Sequence, residues 1–319
     1  MTKKIDRTGE IGLNKFGSKM IIQNYKNSHD IDIYFPEYNC IIKHKEYGDF
    51  KRGYIKCPNE NREFNKLGEE GSNKFGSKMI IIKSESYNNV DIYFPEYNWT
   101  AKNRTYQTFQ DGNIKCPYER RLYGVGYLGE GKYKAKEGRK ATLAYRKWND
   151  MLRRCYSEAA MDKNPTYRNC YVCEEWHNFQ VFAEWFYKHY YTIKDELMEI
   201  DKDILHKGNK IYSPDTCLIV PQRINKLFTK SDKSRGDYPI GLYPRKKDNV
   251  LVVKCSIIEN GEKNKKYLGR FPLHQVEEAF LTYKRFKENY IKQVADEYKN
   301  SIPDKVYQAL YNYEVEITD

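Results

Sequence analysis

Short runs in which apolar and polar residues alternate fill the first 120 or so residues, and apolar residues spaced three or four apart take over after about residue 140. A period of two marks a half-buried strand, and a period near 3.6 marks a helix with one buried face. Lys19 to Ile22 (KMII) and Asp32 to Phe35 (DIYF) are strand-like runs, broken by Gly, Asn and Pro. Ala144, Trp148, Met151 or Leu152, and Cys155 predict a helix over about Thr142 to Tyr156. A second helix is predicted from an N-cap at Asn178 to about Tyr190, with Phe179, Phe182, Phe186 and Tyr190 as its buried stripe. Glu199 to Phe228 reads as a strand (Glu199 to Ile204), a polar loop, a strand (Thr216 to Val220) and a helix opening after Pro221. Three strands follow, Gly241 to Arg245, Val250 to Ile257 and Lys265 to Phe271. An amphipathic helix then places Val276, Ala279, Phe280, Tyr283, Tyr290 and Val294 in register. Pro303 to Leu310 reads as a short helix in the tail. The glycine-rich basic stretch 120–138 and the polar stretch Ser231 to Asp237 read as linker and hinge.

The alternating region is an internal repeat. Residues 7–60 align without a gap onto 66–119 at an offset of 59, with 29 of 54 positions identical. The shared text includes NKFGSKMII (Asn14 to Ile22, Asn73 to Ile81), DIYFPEYN and IKCP. Two small β-barrel or β-roll modules of SH3-like size are expected. Modules this small need their aromatics for a core, so Phe16, Tyr34, Phe35, Tyr38, Tyr47 and Phe50 are assigned mostly inside. Lys15, Lys19, Lys43 and Lys56 recur as Lys74, Lys78, Lys102 and Lys115, although lysine is rarely needed inside. This duplicated basic face fits two tethered modules on successive stretches of DNA, or a solvated face, or a surface for a host or phage protein.

Charge turns attention to partners. Against 44 Asp and Glu stand 56 Lys and Arg, a net charge of +12, with 15% aromatic residues. Such a surface suits phosphate neutralisation and stacking, so nucleic acid is the first partner to consider. No apolar run approaches a membrane span and Met1-Thr-Lys-Lys leads into polar sequence, so a cytoplasmic location and no membrane partner are expected. The eight cysteines are expected as free thiols in a reducing compartment. Cys170 and Cys173 have half the spacing of a zinc site without a second pair, and are assigned to packing.

The stretch EIDKDILHKGNKIYSPDTCLIVPQRINKLF (Glu199 to Phe228) concentrates acidic and amide groups where two strands and a helix meet, and such oxygens suit Mg²⁺. It resembles the ββα-metal (HNH-type) core of phage homing endonucleases. WNDMLRRCY and YVCEEWHNFQVFAEW match the same family in order and spacing, so the resemblance covers about 140–230. It implies Asp201 and Asn225 as metal ligands and Asn209 as the central Asn. Asp203 or His206 would assist catalysis. Lys202 stands where the family has its general-base His. A protonated lysine cannot take a proton from water, so cleavage is expected to be weak or lost. Arg153, Arg154, Lys202, Arg223 and Lys226 are the candidate phosphate contacts of this region.

The three strands and helix from Gly241 resemble the AP2 DNA-binding domain in their Gly-Leu start, their Tyr-Leu-Gly-Arg-Phe third strand and the Glu-Glu-Ala of the helix. That resemblance implies a sheet lying in the major groove. Alternation with Val250, Val252 and Ile257 assigns Arg245, Lys246, Lys254, Lys266 and Arg270 outward, and the AP2-type Trp of the second strand is absent.

The expectation is therefore an α+β multidomain chain: β repeats at 1–62 and 63–121, a linker and degenerate HNH-like domain at 122–236, an AP2-like domain at 237–298 and a tail at 299–319. It is expected to bind double-stranded DNA, with Lys15, Lys19, Lys74 and Lys78 contributing. The alternatives are an active Mg²⁺-dependent homing or nicking endonuclease, and a phage inhibitor of a host defence or repair protein.

Overall fold

The computed structural model describes residues 6–58, 64–228, 238–259 and 262–318. The hinge expected at Ser231 to Asp237 and the turn at Asn260 and Gly261 lie outside them. The protein is mixed α+β with several small antiparallel sheets, and it divides into two compact units, Met1–Ile114 and Lys115–Asp319.

In the first unit each repeat is a meander with a short helix. β1 (Ile11–Leu13), β2 (Lys19–Asn27), β3 (Asp30–Phe35) and β4 (Cys40–Lys45) pair in that order, and α1 (Tyr47–Arg52) follows. The second copy repeats it with β5 (Glu70–Ser72), β6 (Lys78–Ser86), β7 (Asn89–Phe94), β8 (Trp99–Arg104) and α2 (Tyr106–Gln110). Alternation along β3 buries Ile31, Ile33 and Phe35, and these pack with Met20, Ile22, Phe50, Ile55 and Cys57. Of the expected barrel or roll, no closed barrel is seen: among the described residues β1 and β4 make no ladder, nor do β5 and β8. The helix covers one face of an open sheet instead. Gly53 ends α1 at φ +70, where a Cβ would stand 3.0 Å from the Leu13 carbonyl oxygen.

Among the described residues the second unit holds three hydrophobic clusters. A small hairpin, β9 (Lys136–Glu137) and β10 (Lys140–Ala141), leads to α3 (Leu143–Tyr156), capped by Thr142, whose Oγ1 accepts from the Tyr145 N–H at 3.3 Å. Then come α4 (Glu158–Lys163), β11 (Tyr171–Val172) and α5 (Phe179–His189), capped at Asn178 as expected. Ala144, Trp148, Leu152 and Cys155 of α3 meet Phe179, Phe182 and Phe186 of α5 in the first core. The stretch 120–138 is no linker. Tyr127 N–H donates to His177 O and Phe179 N–H to Tyr127 O, both at 2.9 Å, and Gln180 clamps both backbone groups of Tyr133 at 2.9 Å. Its glycines permit close packing: a Cβ on Gly126 would fall 2.5 Å from Leu152 Cδ1.

The other two clusters form along the long helix Val276–Tyr298. β12 (Met198–Asp201) pairs antiparallel with β14 (Leu218–Pro221), α6 (Gln222–Leu227) follows, and β13 (Ile211–Tyr212) pairs with β11. β15 (Leu242–Arg245), β16 (Val250–Glu259) and β17 (Glu262–Pro272) form an antiparallel sheet that precedes α7 (Val276–Tyr298) and α8 (Asp304–Tyr311). The first half of α7 buries Ala279, Phe280 and Tyr283 against Leu242, Leu251, Val253 and Cys255 of the sheet. Its second half buries Ile291, Val294 and Ala295 against Ile204, Val220, Ile224 and Leu227, with Val306 and Leu310 of α8 closing the cluster. One 23-residue helix thus ties the ββα segment to the three-stranded sheet. Among the described residues, no helix is long and apolar enough to cross a membrane.

Candidate functional site

The loop after β12 turns on Asp201. Its Oδ1 accepts the N–H of Asp203 at 2.8 Å and of Ile204 at 2.7 Å, which ends the strand three residues earlier than the apolar pattern suggests. Asp201 is 8% exposed, and burial raises its carboxyl pKa against the lowering effect of those two N–H donors. Lys202, 7% exposed, extends Nζ inward to both carboxylate oxygens of Asp203 at 2.8 Å and to the Asn209 carbonyl at 2.7 Å. An ammonium has three N–H groups, and these contacts engage them. Asn209 completes the knot: Nδ2 donates to the carbonyls of Lys202 at 2.9 Å and Ile211 at 2.7 Å, and Oδ1 accepts the Ile211 N–H at 3.1 Å. Lys202 is therefore corrected from phosphate contact to loop strut.

The other candidates of this segment lie elsewhere. His206 is exposed on the loop, and its backbone carbonyl accepts the Asn209 N–H at 3.1 Å. Asn225 faces an open groove of about 410 Å³ lined also by Arg153, Arg154, Asn164, Tyr167, Glu199 and Lys226. Glu199, not Asp201, is the carboxylate of that groove, and it is held by Lys147 Nζ at 2.8 Å. Asp201 and Asn225 are thus not presented to one cavity, and they do not fit the expected metal pair.

Three of the expected phosphate contacts do converge. Arg153 and Arg154 share Asp150, at 2.6 and 3.1 Å, and the Arg154 guanidinium lies 5.9 Å from the centre of the Tyr167 ring. With Lys226, which lines the same groove, they place three cations around it. Arg223 points the other way, to Glu297 at 2.7 Å and over the Tyr298 ring, because its side of α6 meets α7. It is corrected to an internal tie.

On the three-stranded sheet, Leu251, Val253 and Cys255 face α7 and the alternate positions face outward. Register pairs Val252 with Arg270, Lys254 with Tyr267 and Ser256 with Lys265. Arg245 sits opposite Val250 at the edge of the same face, and Lys246 begins the exposed turn that follows. A bulge at Val253/Lys254 inserts an extra residue on β17 and reverses its alternation. Lys266 consequently pairs with buried Cys255, and Lys265 takes the outward place, its Nζ 4.9 Å from the centre of the Tyr243 ring. The outward assignment of Lys266 is corrected for that reason. Tyr267, 55% exposed between Lys254 and Lys265, escaped the sequence reading, although Gly269 beside the bulge was its visible signal.

Lys15, Lys19, Lys74 and Lys78 are all exposed on the first unit. Among the described residues one group of potential metal ligands comes together, Asp30, Asp32 and His44, with ligand atoms within 4.8 Å of one another. Lys26 already contacts Asp30 at 2.9 Å, and the second copy has Asn89, Asp91 and Asn103 at these positions. The larger groove along α5, about 830 Å³, mixes Glu184 and Asp215 with Lys132 and Lys188, and offers no concentrated field for an anion. Comparison with models of known families, with curated proteins and with solved structures finds no match to the chain.

Proposed function

We propose that the chain is a phage-type double-stranded-DNA-binding protein on a homing-endonuclease-like scaffold whose cleavage centre is weak or lost. The observation that carries this reading is the division of labour around the ββα segment. The groups that cleavage would use, Asp201 and the residue at 202, are spent on the loop, whereas Arg153, Arg154 and Lys226 line an open groove. The outward face of the AP2-like sheet adds Arg245, Lys254, Lys265 and Arg270 beside Tyr267, cations suited to phosphate and, for the arginines, to guanine edges.

The active-endonuclease reading keeps one support, Asn225 and Glu199 facing the same basic groove. Both readings are tested on supercoiled plasmid with Mg²⁺ or Mn²⁺, using wild type and Asp201→Asn, which retains an oxygen for the two N–H groups. The expected result is no metal-dependent nicking, with duplex retardation that weakens about 10³- to 10⁵-fold between 50 and 200 mM salt if six to ten phosphates are neutralised. Metal-dependent nicking in wild type overturns the loss of cleavage, and its disappearance in Asp201→Asn assigns it to Asp201. A flat salt response removes DNA as the main partner.

A further inference from the structure

The loop Asn14 to Ser18 is rigid, identical in both copies and crowned by an exposed phenylalanine. Asn14, 5% exposed, accepts the N–H groups of Phe16 at 3.0 Å and Ser18 at 2.9 Å through Oδ1, and donates to the Ile55 carbonyl at 3.2 Å. Asn73 repeats the set at 3.0, 3.0 and 3.1 Å with Phe75, Ser77 and Ile114. Lys15 N–H is pinned to the Gly53 carbonyl at 2.8 Å, and Lys74 to Gly112 at 3.0 Å. This scaffolding holds Phe16 46% and Phe75 56% exposed, against the expectation that Phe16 belongs to the core. A small module forgoes hydrophobic stabilisation by leaving such a ring in water.

The surroundings identify what the ring meets. Lys15 and Lys19 flank Phe16, and Lys56 Nζ lies 5.3 Å from its ring centre. Around the first tip Ile11, Leu13 and Tyr54 are also exposed, but the second copy has Glu70, Ser72 and Asn113 there, with Phe75 and Lys74 kept and Lys78 Nζ paired to Glu70 at 2.8 Å. An apolar protein partner needs contiguous apolar area, and around the second tip the three corresponding positions are polar. A single ring among ammonium groups matches a base with its adjacent phosphates.

We propose that Phe16 and Phe75 are stacking tips that place their rings against unstacked bases of bound DNA while Lys15, Lys19 and Lys74 neutralise the neighbouring phosphates. This rests on the reading of the chain as a DNA-binding protein. Preorganisation by Asn14 and Asn73 spares the ordering cost of presenting the ring.

The test uses the full chain and a labelled 30-base-pair duplex carrying 2-aminopurine, with the single strand alongside. Anisotropy gives affinity and salt slope, and 2-aminopurine emission reports stacking. Phe16→Ala/Phe75→Ala should lose affinity about 5- to 150-fold per stacked base, keep the wild-type salt slope and lose the emission change. Phe16→Trp/Phe75→Trp should restore both. Lys15→Ala/Lys74→Ala should instead lower the salt slope by about 2. Since both rings are exposed, unchanged thermal unfolding is expected for every variant. Wild-type binding that the alanine variant matches within about twofold overturns the stacking role and leaves the DNA reading standing. Failure of wild type to bind either probe overturns both.

Discussion

Two kinds of loop in this protein, the repeated one at Asn14 and Asn73 and the one at Asp201, are knotted by a buried polar side chain, and they put that knot to opposite uses. At Asn14 the amide satisfies three backbone groups and leaves Lys15, Phe16 and Lys19 projecting into solvent. At Asp201 the carboxylate again holds two backbone N–H groups, but the neighbouring Lys202 and Asn209 are drawn inward to close the loop. The first loop uses one residue as scaffold to display others. The second consumes as scaffold the residues to which the resemblance assigns chemistry. A polar residue's type therefore does not settle its role: a side chain with its bonds already made inside the fold is not available to a ligand without a cost of breaking them.

Breaking the display loop should have the largest effect. Asn14→Ala leaves two donors and an acceptor unpaired in a buried site, so a loss of about 3 kcal/mol or more in denaturant stability is expected. Asn73→Ala should behave alike, because its three bonds have the same geometry. A silent Asn14→Ala would mean that the loop is held by other groups.

The inward knot comes next. Asp201→Ala should cost about 1–3 kcal/mol through its two orphaned N–H groups, whereas Asp201→Asn keeps an acceptor for both. Burial raises the Asp201 carboxyl in the folded state, so the fold favours its protonated form. That contribution is complete below the ordinary value of 3.8 and is lost as pH rises through the raised folded value. Urea midpoints of wild type should therefore fall relative to Asp201→Asn across that window and run parallel to them above it. Parallel curves throughout would show that Asp201 is not strained by its burial.

The smallest effect sharpens the contrast on the three-stranded sheet. Lys265→Ala should reduce the salt slope of DNA binding by about 1 and Lys266→Ala should leave it unchanged. The reverse outcome would place the phosphate-facing side of β17 where simple alternation had it.

Most elements were legible because their signals are local. The stripes of α3 and α5, the cap at Asn178, and the helix after Pro221 follow from spacing and from side chains that reach only their own turn. The duplication was legible from identity alone, and so was the excess of positive charge. What was not legible depends on partners distant in the chain. Gly126, Gly129 and Gly131 look like linker glycines until α3 and α5 are packed against them. Arg154 and Arg223 are alike in sequence, yet one is tied to Asp150 on its own helix and lines a groove, whereas the other is tied to Glu297 on α7. One unpaired residue at a bulge exchanges Lys265 for Lys266, since every residue beyond it changes face.

The sequence by itself thus determined the elements, the repeated unit and the basic character of the surface, because periodicity and composition need no knowledge of neighbours. Only the tertiary structure decided which charged and aromatic groups remain available. That choice depends on which bonds are closed inside, as for Lys202 and Asn209, and on which ring the backbone holds out, as for Phe16. Such bonds and burial are settled between segments brought together by folding, and the spacing along the chain does not encode them.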